Sequence, residues 1–339
     1  MDTNYDPYSE DKAKPSDELY ELIQQNYGID ARLGVDLGGS YNLNLHASDA
    51  VIRVYQPYVT PERLLGIQKV RQQLTSKGIP CSQVISTKDG RTWLSIGRSV
   101  LEVERFVEKA EKMDSWERLE SGLSCLGRIH TLLKEMNVSE EVKKAPVANH
   151  VEAERAFSWT LRGTSFVRNW KPTPTEMQFA NNAEKLANLL AEAESDFLGK
   201  LPRQLVHGDF WDNNVFMKSK KVVYVADFDF MGERARIDDI ALTLFYKNST
   251  TPGDQTSQER IMQLRRLVDA YDSGLEDHLT EVERKALPIA IARAPLCFVG
   301  IIASVTKEQG QREVLKRAND LVWALQLVGD LRRWQYIFG

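Results

Sequence analysis

The chain has 339 residues, with 44 Lys and Arg against 48 Asp and Glu for a net charge of −4, and 42% of it is hydrophobic. This is soluble globular composition, long enough for two domains or one two-lobed unit. The missing basic excess argues against nucleic acid or an anionic membrane as partner.

In chain order, residues 1–15 are polar, carry Pro7 and Pro15, and are expected to form a disordered tail with no apolar signal segment. Ser16 caps a short helix running to Gln25, with Leu19, Leu22 and Ile23 on one face. Strand patterns follow at 32–36, 41–47 and 50–55, separated by GGS and ASD turns. A helix is expected from Pro61 to Lys77, stopped by Gly78. Residues 84–86 and 92–96 flank Lys88-Asp89-Gly90 as the arms of a hairpin, and 100–107 reads as a further strand. From about residue 108 the pattern turns helical: 116–136, 151–162 and 175–197, then short strands within 204–230. The rest is helical, with breaks at 270–273 and 307–309. The apolar stretch 286–305 contains Arg293 and two prolines, so it reads as a buried helix pair and not as a membrane span. Cys81, Cys125 and Cys297 are widely spaced and outside any CxxC pattern, and read as buried free thiols of a cytoplasmic protein. The fold class expected is α+β and bilobal. A small antiparallel-sheet N-terminal lobe and a larger, mainly helical C-terminal lobe enclose a cleft.

The chemistry concentrates in Gln204–Leu242. His207-x-Asp209-x4-Asn214 precedes a hairpin turning near Ser219–Lys221, and the strand 222–226 delivers Asp227 at its end. That spacing suits metal-assisted phosphoryl transfer. One carboxylate accepts the proton of an attacking hydroxyl, while an amide oxygen and a second carboxylate hold Mg²⁺ against phosphates. His207 itself reads as an orienting, hydrogen-bonded residue. The competing reading is that His207 and Asp209 only hold a turn.

HGDxxxxN, a strand ending in Asp, and a following DDIAL helix start together resemble the aminoglycoside phosphotransferase and choline kinase family. This family comprises small-molecule, protein-kinase-like phosphotransferases and has a homoserine-kinase-like branch. Leu126–Leu132, LGRIHTL, and 287–299 extend the resemblance across most of the chain. It implies a kinase-like fold with a nucleotide-binding lobe over 16–102, a hinge at 103–107 and a catalytic and substrate lobe over 108–339. It also implies transfer of phosphate from Mg-ATP to a small-molecule hydroxyl. Asp209 is implied as catalytic base, Asn214 and Asp227 as Mg²⁺ ligands, and Asp229 as an auxiliary ligand. Asp238 and Asp239 stand where the family carries a GDP-containing loop. That tripeptide is absent here, so the pair reads as capping the next helix and holding the loop.

In the first lobe, Gly38-Gly39-Ser40-Tyr41-Asn42 is similar to the family's GGxxN phosphate cover, although a plain hairpin turn has the same composition. Arg53 stands where the family has a strand lysine on the phosphates; its alternative is a solvent-facing strand position. The helix after it offers one acid, Glu62, as partner for Arg53. Glu104 and Phe106 fall in the implied hinge, where backbone groups would read the purine; ATP is the default donor and GTP stays open. An acidic run from Asp269 to Asp277 would suit an amine-bearing acceptor, or is a solvated helix end. Trp159, Trp170 and Trp211 read as pocket lining or core. A catalytically inactive nucleotide-binding module is the rival reading, drawn from the missing GDP, Arg53 and Glu62. A protein kinase lacks support, because Trp211 stands where its catalytic-loop lysine belongs. Oligomeric state is not legible.

Overall fold

A computed structural model describes residues 12–108, 111–147 and 149–339. Most of the expected N-terminal tail therefore lies outside the described residues, but Lys12 is placed, 2.8 Å from Asp36.

Ser16 accepts a hydrogen bond from the Leu19 amide and opens α1 (Asp17–Tyr27), which Gly28 ends in the left-handed region. Six short antiparallel strands follow: β1 (Val35–Asp36), β2 (Leu43–Ala47), β3 (Ala50–Val54), β4 (Val84–Ile85), β5 (Leu94–Ile96) and β6 (Ser99–Arg105). Their order is β1-β2-β3-β6-β4, and β5 also pairs with β6. Alternation along β2 and β3 puts Leu43, Leu45, Ile52 and Val54 on Leu19 and Ile23 of α1. Each such side chain, fully buried, contributes about 1.5–3 kcal/mol. The expected hairpin around Asp89 does not form. β4 and β5 lie end to end along the same side of β6, and the tight hairpin is β5–β6. Between β3 and β4 runs α2 (Pro61–Ser76), capped by Thr60 with Pro61 in its first turn.

The chain leaves this sheet at Arg105, so the first three residues of the expected hinge still belong to a strand. The second lobe is built on α3 (Trp116–Lys134), α5 (Ala153–Asn169), α6 (Pro174–Glu194), α7 (Arg236–Thr250), α8 (Gln258–Ser273), α9 (Glu281–Ile301), α10 (Lys307–Gly329) and α11 (Leu331–Phe338), with a short α4 (Glu140–Lys143). Two small sheets sit among them. β7 (Glu111–Lys112), β9 (Val215–Lys218) and β10 (Lys221–Val225) form one; β8 (Arg203–Val206) and β11 (Gly232–Ala235) form the other. The apolar stretch is one helix with two internal prolines, not a helix pair. Over Glu281–Ser304 it is long and apolar enough to cross a membrane, but 89% of its most apolar window is buried by the surrounding helices. All three cysteines are free and buried.

Candidate active site

β8 leads through His207 and Gly208 and places Asp209 at the cleft between the lobes. Gly208 has φ +83°, and a Cβ there would overlap the Phe230 carbonyl, so only glycine makes this turn. The buried His207 ring donates from Nε2 to the Ala226 carbonyl at 2.8 Å and accepts from the Asp209 amide at 3.2 Å. Burial depresses its pKa and keeps it neutral, an orienting residue. Beneath the loop, fully buried Asp239 accepts from the amides of His207 (2.9 Å) and Gly208 (3.1 Å) and from His130 Nε2 (3.0 Å). His130 Nδ1 in turn meets the Tyr271 hydroxyl at 2.7 Å. Burial would raise the Asp239 carboxyl, but the His130 bond and the surrounding histidines outweigh it and hold it far below the usual range. Asp239 thus holds the loop as expected, but neither it nor Asp238 caps a helix. α7 begins at Arg236 without a side-chain cap, and Asp238 is paired with Arg293.

Asp209 is 6% exposed and lines the cleft. Its Oδ2 accepts from Asn214 at 2.7 Å, and its Oδ1 accepts from Asn149. Burial, then the charges of Asp227 and Asp229, push its pKa well up, while the two amide bonds favour the ionised form. Asn149 was not singled out by sequence: it lies in an aperiodic stretch sixty residues upstream, with no local signal. Asp227 lies two residues past the end of β10 with φ +59°, a left-handed conformation rare for a non-glycine residue and concentrated at functional sites.

From the sheet lobe, Gly38 and Gly39 (φ +87° and +105°) make a turn tied by Asn44 to the Gly38 carbonyl at 3.0 Å. Gly38, Gly39, Ser40, Asn42, Arg53, Glu104 and Phe106 all line the cleft with Asp209, Asn214, Asp227 and Asp229. Asn42 and Tyr58 donate to Asp229 Oδ2 at 2.9 and 2.8 Å, and Arg53 is ion-paired with Asp227. Arg53 is therefore no solvent-facing strand residue; it is 8% exposed. Glu62 does not partner Arg53: it is exposed in the first turn of α2, and no bond joins the two among the described residues. α2 instead brings in a cation. Buried Arg71 pairs with Glu102 (2.6 Å) and with Glu104, both on β6, and Tyr55 and Gln68 also bond Glu102. Burial would raise Glu104, but Arg71 and then Arg53 bring it down to about 2. The Glu104 carboxylate thus belongs to this network. Phe106 stacks on His46 with centroids 3.8 Å apart. Arg63, 2% exposed, reaches the carbonyls of Asp229 and Met231 and those of residues 141, 142 and 144, fixing α2 to the second lobe.

The cleft encloses about 1240 Å³. Beyond Asp209 it is walled by Trp211 stacked on Tyr246 (4.9 Å), by Phe298 and by one face of α10. Trp159 and Trp170 are core residues away from it. The acidic run is also elsewhere: Asp269 and Asp272 pair with Arg284, and Asp277 pairs with Lys134.

The donor set fits a hard divalent ion with few protein ligands. Asn214 commits its amide nitrogen to Asp209, which leaves the amide oxygen, and Asp227 is 30% exposed to the cleft. Among the described residues no group of three His, Cys, Asp or Glu forms a metal cage, so phosphate oxygens and water would complete the shell. Arg53 Nε, buried without a partner among the described residues, fits an anion on the same side.

This constellation, on a two-lobed fold, defines a phosphoryl-transfer enzyme. The sequence matches the phosphotransferase enzyme family (APH) over residues 37–277, and the chain belongs to that family. It is a small-molecule phosphotransferase. Homoserine kinase of Rhodopseudomonas palustris (strain ATCC BAA-98 / CGA009) is 24% identical over 268 residues, covering 76% of this chain and 74% of the relative. Homoserine kinase of Zymomonas mobilis is 22% identical over 77% of this chain and 75% of its own length. The fold is that of a microcompartment-associated aminopropanol kinase (TM-score 0.71, 14% identity, 93% of this chain and 98% of that one). It is also that of the amicoumacin kinase hAmiN, solved with AMP-PNP and Ca²⁺ (TM-score 0.67, 13% identity, 91% and 93%).

Proposed function

We propose that the chain transfers the γ-phosphoryl group of ATP, bound with Mg²⁺, to a hydroxyl of a small molecule. The observation that carries this reading is Asp209, fixed between Asn214 and Asn149 and facing the cleft that Asp227 also enters. The hydroxyl oxygen forms the new bond to phosphorus, the bond to ADP breaks, and the hydroxyl proton passes to Asp209. Asn214 and Asp227 would hold the ion, which when bound neutralises charge on the phosphate oxygens. The Gly38–Gly39 turn, Asn42 and Arg53 would face the phosphates, and the backbone near Phe106 the purine. Three buried free thiols support a cytoplasmic setting. The homoserine and aminopropanol kinases resembled here support a small alcohol as acceptor.

The test is ADP release with homoserine, 3-aminopropanol, choline and aminoglycosides as acceptors. Asp209→Ala is expected to lower acceptor-stimulated release by about 10²–10⁴-fold. Binding of Mg-ATP with no acceptor raising turnover would move the chain to the inactive nucleotide-binding alternative.

A further inference from the structure

One face of α10 closes the cleft beyond the catalytic loop. Gln309, Arg312, Glu313, Lys316, Arg317 and Asp320 recur at helical spacing, and all line the cleft. Their surroundings belong to the second lobe. Ser249 of α7 donates to Asp320 at 2.6 Å, and the Arg317 guanidinium lies 3.9 Å over the Phe298 ring of α9. Phe298 adjoins Tyr246, which stacks on Trp211, two residues past Asp209. The face is therefore continuous with the catalytic loop.

Its charges do not cancel. Both acids are engaged by Arg317, Asp320 at 3.2 Å and Glu313 at 3.7 Å. Arg317 is 7% exposed, and its Nε still lacks a hydrogen-bond partner among the described residues. Lys316 is exposed, and its ion-pair partner among the described residues is Glu313 at 3.9 Å. Arg312 has no hydrogen bond or ion pair among the described residues. The face thus presents three cations against two carboxylates that both lie beside Arg317, for one net positive charge. An ammonium group brought there would meet repulsion from Arg312 and Lys316, and both acids already face Arg317.

We infer that the acceptor is an alcohol carrying a carboxylate, which this α10 face seats through Arg312, Lys316 and Arg317 while the hydroxyl faces Asp209. A single net positive charge matches a monoanion, and planar guanidinium forks match a carboxylate. The inference rests on the kinase reading above, and it replaces the amine-seeking acceptor site suggested by the Asp269–Asp277 run.

The test is kcat/KM from ADP release for a matched set of probes: 4-hydroxybutyrate, homoserine, homoserine amide and 3-aminopropanol. The two carboxylates are expected to exceed the amide and the amine by about tenfold or more, the worth of one charged hydrogen bond. Arg312→Gln and Lys316→Gln, at exposed positions where folding is safe, should raise KM for the carboxylates about threefold to tenfold, leaving kcat and the amide's KM within about twofold. Arg317→Met should do the same more strongly. Equal or better turnover of the amide or amine overturns the inference and leaves the kinase reading standing. No turnover of any probe, with Asp209→Ala equal to wild type in basal ATP hydrolysis, overturns both.

Discussion

The two walls of the cleft are held by different means. On the helical side the catalytic loop is fixed from within its own lobe: Asp239 grips two loop amides, His130 and Tyr271 brace Asp239, and Thr243 donates to the Phe210 carbonyl at 2.5 Å. On the sheet side, three polar groups bond across to the second lobe. Arg53 is paired with Asp227, and Asn42 and Tyr58 bond Asp229. In the reaction proposed above, Asp209 would therefore have a fixed position before any ligand arrives, whereas Arg53 and Asn42 would have to exchange partners for a nucleotide to enter. What is held from within the sheet lobe is the Arg71–Glu102–Glu104 network, which meets the cleft at Glu104.

That contrast can be broken at its strongest point first. Arg71→Met leaves two buried carboxylates without their cation and should cost about 3–5 kcal/mol of stability, read from chemical denaturation. Unchanged stability would show that the network is not what stiffens the sheet. Asp239→Asn should cost about 3 kcal/mol at neutral pH by weakening the grip on the loop. Because Asp239 is held below its unfolded pKa, its contribution is present above the ordinary carboxylate value of about 3.9 and fades as pH falls below it. The gap between variant and wild type should accordingly shrink in acid, and a gap that widens would contradict the assignment. At the small end, Glu62→Ala should change stability by no more than about 0.5 kcal/mol and leave nucleotide KM unaltered. A clear rise in KM would restore Glu62 as the partner of Arg53.

Legibility in the sequence followed distance along the chain. Asp209 and Asn214 lie five residues apart in one loop, and Asp227 comes just after the second strand of the hairpin that follows, so spacing alone brought them together. The lobes were legible because strand and helix periods differ over long stretches, and the cap at Ser16 and the proline at position 61 marked helix starts. Asn149 and Asp209, Arg71 and Glu102, and Asp239 and His130 meet only through tertiary packing. Glu62 misled for a related reason: it was the one acid in α2, while the helix face that packs on β6 carries a cation and the acids are on the strand. The charged stripe of α10 has the pattern of a solvated face, and nothing local tells that it borders a cleft.

The central claim is a division of labour between two acids, Asp209 for the proton and Asp227 for the metal-bound nucleotide. Its most direct test is Mg²⁺-dependent ATP affinity, measured by titration calorimetry on wild type, Asp209→Ala and Asp227→Ala. Asp227→Ala should lose most of the Mg²⁺-dependent affinity while Asp209→Ala stays within about threefold of wild type, a difference under 1 kcal/mol. Equal loss in both variants would contradict the account.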